Sequence, residues 1–285
     1  METIGSQRFV SYYDDAPAPK AASNTKVRKG EGHFVKTYFE LANKIAELQF
    51  LNRDYVLLFR GQAHDHKNKQ SNTSLKPTIF RSVDESNPAP EVLAQRFYKL
   101  DYAERELVER YQEKKFLGVQ RLRRHNLIRW AILQHYEVCP TPLLDVTHSI
   151  RIAASFASGE NNREGFIFVL GVPNLSGAIT ASSEAGLQIV RLSSACPPSA
   201  IRPHLQEGYL LGEYPEISTI EQKLQYEHFE VDFGLRLIAK FRFSPDSFWS
   251  SETFPKVSDK ALYPAGHRDP LLDLALEVKQ GISGI

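Results

Sequence analysis

Tyr55-Val56-Leu57-Leu58-Phe59-Arg60-Gly61-Gln62 is the stretch on which the fold turns. An unbroken apolar run of this length reads as a buried strand, and Arg60-Gly61-Gln62 is expected to end it. Before it, Phe34, Tyr38, Leu41, Ile45 and Leu48 recur at spacings of three or four, which puts them on one helical face. After it, His64 to Asn72 is a polar loop. The spacing then predicts a long amphipathic helix over 91–116, with Val92, Phe97, Leu100, Leu107, Tyr111 and Phe116 on its core side. A second helical stretch, Leu127 to Tyr136, is broken by Cys139-Pro140-Thr141-Pro142.

Further along, Ser149 to Ser158 reads as a short Ala-rich helix suited to close packing. Gly165 to Leu170, Leu187 to Leu192 and Tyr209 to Leu211 read as strands. From Leu235 to Phe243 the apolar residues mostly alternate with charged ones, which predicts a half-buried strand. Leu271 to Val278 is a closing helix. Helices dominate the first half and strands the second. The expected class is therefore α+β, a helical N-terminal half packed on a mixed or antiparallel sheet. Residues 1–30 are expected to be a flexible N-terminal segment, because Asp14 to Asn24 is small, polar and Pro-bearing. Residues 31–285 are expected to form one domain.

Composition narrows the function classes. The 285 residues carry 35 Lys+Arg against 34 Asp+Glu, a net charge of +1, so there is no global field for a polyanion. Two Cys exclude a disulfide framework and a Cys-based zinc site. No apolar run is long enough to span a bilayer, and the N-terminus lacks the basic and apolar regions of a signal peptide. A cytoplasmic protein without a membrane partner is expected. GxxxxGK[ST], HExxH and GxSxG are absent. His64 and His66 lack an apparent third ligand, so no metal is expected.

Three clusters carry possible chemistry. Arg60 closes an apolar strand, and Gly61 lets a backbone or ligand come close. Either Arg60 is poised over an anion such as a phosphate, or it pairs with a core carboxylate. In the second cluster, Gln134-His135-Tyr136 precedes Pro140-Thr141-Pro142-Leu143-Leu144-Asp145-Val146-Thr147. Asp145 lies among apolar neighbours and needs a partner, with Arg60 and His135 as the candidates. Asp145 or Thr147 caps the Ala-rich helix, or that helix N-terminus meets a ligand phosphate. The third is Arg202-Pro203-His204-Leu205-Gln206-Glu207-Gly208-Tyr209, where Gln206 or Glu207 could orient a nucleophile or sugar hydroxyls. A basic run, Arg121, Arg123, Arg124, His125 and Arg129, is either a nucleic-acid contact or a solvated face paired with acids.

These motifs, in their order, resemble one family. Phe59-Arg60-Gly61-Gln62, Leu75-Lys76-Pro77-Thr78-Ile79-Phe80-Arg81, Leu133-Gln134-His135-Tyr136, Pro140 to Thr147 with Ala153 to Ala157, and Arg202 with Gln206 and Gly208 look like an FRG domain, from about residue 34 to the closing helix. The chain has Glu137 where that family usually has Gly, Pro142 where it usually has Arg, and Val146 where an aromatic is common. The resemblance implies a bacterial or phage protein of defence or toxin type. A looser similarity to ADP-ribosyltransferases rests on Arg60, on Thr147 with the Ala-rich helix, and on Gln206-Glu207. It implies an ADP-ribosyltransferase-like core acting on NAD as substrate, with no tightly bound cofactor. Catalytic roles would fall to Arg60, His135, Asp145, Gln206 and Glu207. Gly61, Gln62, Tyr136, Thr147 and Arg202 would bind the nucleotide, with Tyr136 or Phe156 as the wall for nicotinamide. Two alternatives stand: a nucleic-acid-binding or RNA-cleaving toxin using Arg121, Arg123, Arg124 and Arg129, and a non-enzymatic module that binds a protein partner.

Overall fold

The computed structural model describes residues 1–4, 9–82, 88–159, 162–225, 231–250, 254–264 and 269–284. The chain divides into two compact units. One comprises residues 1–75, 146–175 and 232–259, and the other residues 76–145, 176–231 and 260–285. Both take segments from each half of the chain, so the class is α+β but the N-terminal half is not a helical layer.

In the first unit, β1 (Phe9–Ser11) and β2 (Lys20–Ala22) form an antiparallel pair, and α1 (Asn24–Lys29) follows, capped by Ser23. Strands and a helix thus occupy the stretch expected as a flexible segment. A mixed sheet is built from β3 (His33–Phe34), β4 (Val56–Gln62), the end of β5 (Leu144–Thr147), β6 (Gly165–Val172) and β10 (Leu237–Phe243). β6 is antiparallel to both β4 and β10, and β3 runs parallel to β10. All of β6 is buried, which explains its continuous apolar run. α2 is Tyr38–Leu51 rather than a helix from Phe34, because the Thr37 hydroxyl accepts from the Glu40 amide and sets the start there. α2 buries Leu41, Ile45 and Leu48.

Two strand expectations change. β4 does not stop at Phe59: Arg60, Gly61 and Gln62 stay in register with Phe168, Ile167 and Phe166. β10 is not half-buried, since only Arg242 of its seven residues is partly exposed. The alternation is broken by Lys240, whose ammonium is buried against Asp65 (2.6 Å) and the Thr73 hydroxyl (2.9 Å). Arg28 and Asp232 form a second buried pair in this unit.

The second unit holds the antiparallel strands β7 (Ile179–Ser182), β8 (Leu187–Arg191) and β9 (Gly208–Glu213). It also holds α3 (Pro90–Glu113), α4 (Val119–Arg124), α5 (Asn126–His135) and the closing helix Pro270–Gly281. The buried stripe of α3 is Leu93, Phe97, Leu100, Ala103, Leu107 and Tyr111. Val92 is 40% exposed, because the stripe's spacing selects Leu93 one residue on. α6 (Ile150–Ala157) belongs to the first unit. Its cap is Ser149, and Thr147 accepts from the Ser149 amide (3.0 Å) instead of capping the helix itself. No helix among the described residues is long and apolar enough to cross a membrane.

Candidate functional site

The strand ends of the first unit gather Arg60, Gly61, Gln62 and Thr147. Phe59 sits opposite Thr147 on one side and Val169 on the other, so Arg60 follows directly on a three-strand crossing. α6 lies hard against this point. A Cβ built on Gly61 would come 1.7 Å from the Ala153 carbonyl oxygen, so only glycine permits the contact. The small residues of α6, Ala153, Ala154 and Ala157, are what let helix and strand approach. Arg60 and Gln62 are half-buried there. Arg151, the cation of α6, is held elsewhere: its Nε donates to the Pro255 carbonyl (2.9 Å) and its guanidinium lies over the Phe254 ring.

In the second unit, His135 ends α5 and is buried. Its Nδ1 is 3.7 Å from an Asp145 oxygen, and the other Asp145 oxygen accepts from Gln134 Nε2 (2.7 Å). Thr78 and Thr141 hydroxyls donate to Gln134 Oε1 at 3.0 and 2.8 Å, which fixes the amide's orientation toward Asp145. His135 Nε2 is buried without a hydrogen-bond partner among the described residues. Burial holds the His135 pKa below its ordinary value, against the upward pull of Asp145. The imidazole is therefore neutral at pH 7, with Nδ1 toward Asp145. Gly208 opens β9 against this ring: a Cβ there would lie 2.8 Å from Leu192 and 3.4 Å from His135 Cε1. Arg81 feels the Asp145 charge, although burial dominates and lowers its pKa.

Tyr136 is buried rather than an open aromatic wall. Its hydroxyl donates to Asp269 (2.9 Å), and burial pushes its pKa up. Arg202 lies over the rings of Tyr136 and Tyr263, donates from Nη2 to Glu137 (2.9 Å), and donates its backbone amide to Asp269 (2.9 Å). Gln206 is buried and donates to the Leu262 carbonyl (2.6 Å), whereas Glu207 is exposed in left-handed backbone, with φ +45°. Phe156 of α6 is half-buried in the first unit. Asp269 and Tyr263 were not legible as site residues. Asp269 precedes Pro270 and reads as an ordinary helix start, yet it is fully buried and organises Tyr136 and Arg202.

The basic run is mostly engaged. Arg129 pairs with Glu104 (2.6 Å), Arg121 donates to the Ala195 carbonyl, and Arg123 donates to Gln112.

Residues 56–165 match the FRG domain family. The chain carries an FRG domain. No curated protein and no solved structure matches the chain. The FRG match opens with β4 and closes at the first residue of β6, shorter than the resemblance from residue 34 to the closing helix. It includes Arg60, Gly61, His135, Asp145 and Thr147, and leaves Arg202, Gln206 and Glu207 outside. Within the FRG stretch, the Arg-Gly of its name is the place where a strand and a small-residue helix touch through backbone atoms.

Proposed function

We propose that this FRG-domain protein binds an NAD-like nucleotide and cleaves or transfers from it, as an ADP-ribosyltransferase or NAD glycohydrolase of bacterial or phage defence or toxin type. The observation that carries the reading is the pairing of β4 with β5 at Phe59 and Thr147 beneath α6. It juxtaposes two of the elements on which the ADP-ribosyltransferase likeness rests, an Arg-Gly strand end and a Thr strand end leading into a small-residue helix. The chemistry fits these groups. A pyrophosphate needs a cation with a planar donor fork, which Arg60 offers. The ribose, as it becomes oxocarbenium-like, needs an acceptor, the role that the likeness gives to Gln206 or Glu207; the Gln206 amide donates to the Leu262 carbonyl, which leaves Glu207 as the carboxylate of the two. In this reading Asp145 positions His135. The test is a thermal-shift series with dinucleotides on the wild-type protein and Arg60→Lys. The reading expects stabilisation of the wild type that Arg60→Lys loses without a change in its unliganded melting temperature. If Arg60→Lys melts far lower by itself, Arg60 is a structural ion-pair member and the protein is better read as a non-enzymatic module.

A second reading is acid–base cleavage of RNA, favoured by His135 Nε2, which has no hydrogen-bond partner among the described residues. It has less electrostatic support, because Arg129, Arg121 and Arg123 are held by neighbours. RNA binding with a steep salt slope that Arg124→Ala flattens would favour it.

A further inference from the structure

Glu137 has φ +56°, the left-handed region that favours glycine, although its side chain is an exposed carboxylate (64%). That carboxylate meets Arg202 with one oxygen on one nitrogen, Oε1 to Nη2 at 2.9 Å. The Arg202 side chain is 9% exposed, is aligned over Tyr136 and Tyr263, and keeps Nε buried without a hydrogen bond among the described residues. The Asp269 carboxylate accepts from the Tyr136 hydroxyl and from the Arg202 backbone amide. A guanidinium binds an oxyanion best through Nε and Nη together, and here the fork is half filled. A buried donor left empty is costly unless something occupies it during function.

We propose that Arg202 is the binding site for a phosphate group of a small-molecule ligand, and that Glu137 is a built-in carboxylate plug which the phosphate displaces. The plug is suited to leave. Its head already lies in water, and its backbone is in a region that costs a non-glycine residue energy. Tyr263, 46% exposed beside the guanidinium, offers the ligand an aromatic edge as it enters. The proposal deepens the nucleotide reading by naming a phosphate contact, and it rests on that reading's anionic ligand and not on NAD turnover.

Calorimetric titration of the full chain with inorganic phosphate tests it. Glu137→Gln and Glu137→Gly are both expected to bind phosphate about tenfold more tightly than the wild type, since a site blocked most of the time loses affinity by its open fraction. Adding Arg202→Gln to Glu137→Gln should abolish the gain. If that double variant does not fold, Arg202→Lys in its place should lose most of the gain, because an ammonium has no fork. Phosphate affinity unchanged in both Glu137 variants would overturn the proposal, and so would a gain that survives replacement of Arg202. A protein that releases no nicotinamide but shows these gains would lose the NAD reading and keep the plug. The converse result would do the opposite.

Discussion

His135 is neutral because burial outweighs the attraction of Asp145, and a depressed histidine pKa has a fixed thermodynamic sign. The unfolded chain binds a proton near pH ~6.5 that the folded chain refuses. His135 therefore contributes its full share of stability above pH ~6.5, and that share is lost as pH falls below it. His33, also depressed mainly by burial, adds in the same direction. Urea denaturation between pH 5 and 8, the range in which histidines titrate, should show stability falling on the acid side, with His135→Gln flattening part of the slope. A slope identical in His135→Gln would show that the imidazole does not carry it. At this scale Arg60 read either as an anion site or as the partner of a core carboxylate, because residue type alone does not say what a guanidinium next to an apolar run meets. Asp145 was legible as a carboxylate in need of a partner. That Gln134 grips it was not, since the amide's own partners, Thr78 and Thr141, come from separate segments of chain.

Gly61 and α6 depend on each other. Placing a Cβ 1.7 Å from a backbone oxygen forces β4 and α6 apart, and flexible side chains cannot absorb the clash. Gly61→Ala is expected to cost about 3 kcal/mol or more, at the upper end of overpacking effects, as read by denaturant midpoint at unchanged m-value. On α3 and α5, Glu104 accepts from Arg129 and from the Trp130 indole, both at 2.6 Å, and burial raises its pKa. Arg129→Ala strands that carboxylate and should destabilise by about 3 kcal/mol, with little change attributable to RNA affinity. A loss below about 0.5 kcal/mol would mark the pair as an ordinary surface bridge. Elements with strong periodicity, α3, α5 and α6, were legible to within a few residues. β10 was misread because a buried lysine looks like an exposed one in sequence. Only the loop carrying Asp65 and Thr73 reveals that the ammonium is satisfied inside.

At the scale of the whole molecule, the first unit is assembled from three separated segments and so is the second. Such interleaving erases the tidy division into a helical first half and a stranded second half. Local pattern predicts which residues form a strand, not which distant strand becomes its neighbour. The near-zero net charge was informative here. With no global field, recognition must come from a few placed cations, and Arg60 and Arg202 are the two on which the functional account rests. The most direct test of that account is release of nicotinamide from NAD by the purified full chain, followed chromatographically beside Arg60→Lys and Glu207→Gln. The account predicts release by the wild type that falls at least about a hundredfold in each variant while both remain folded. No release by the wild type, or release undiminished in the folded Arg60→Lys protein, would contradict it.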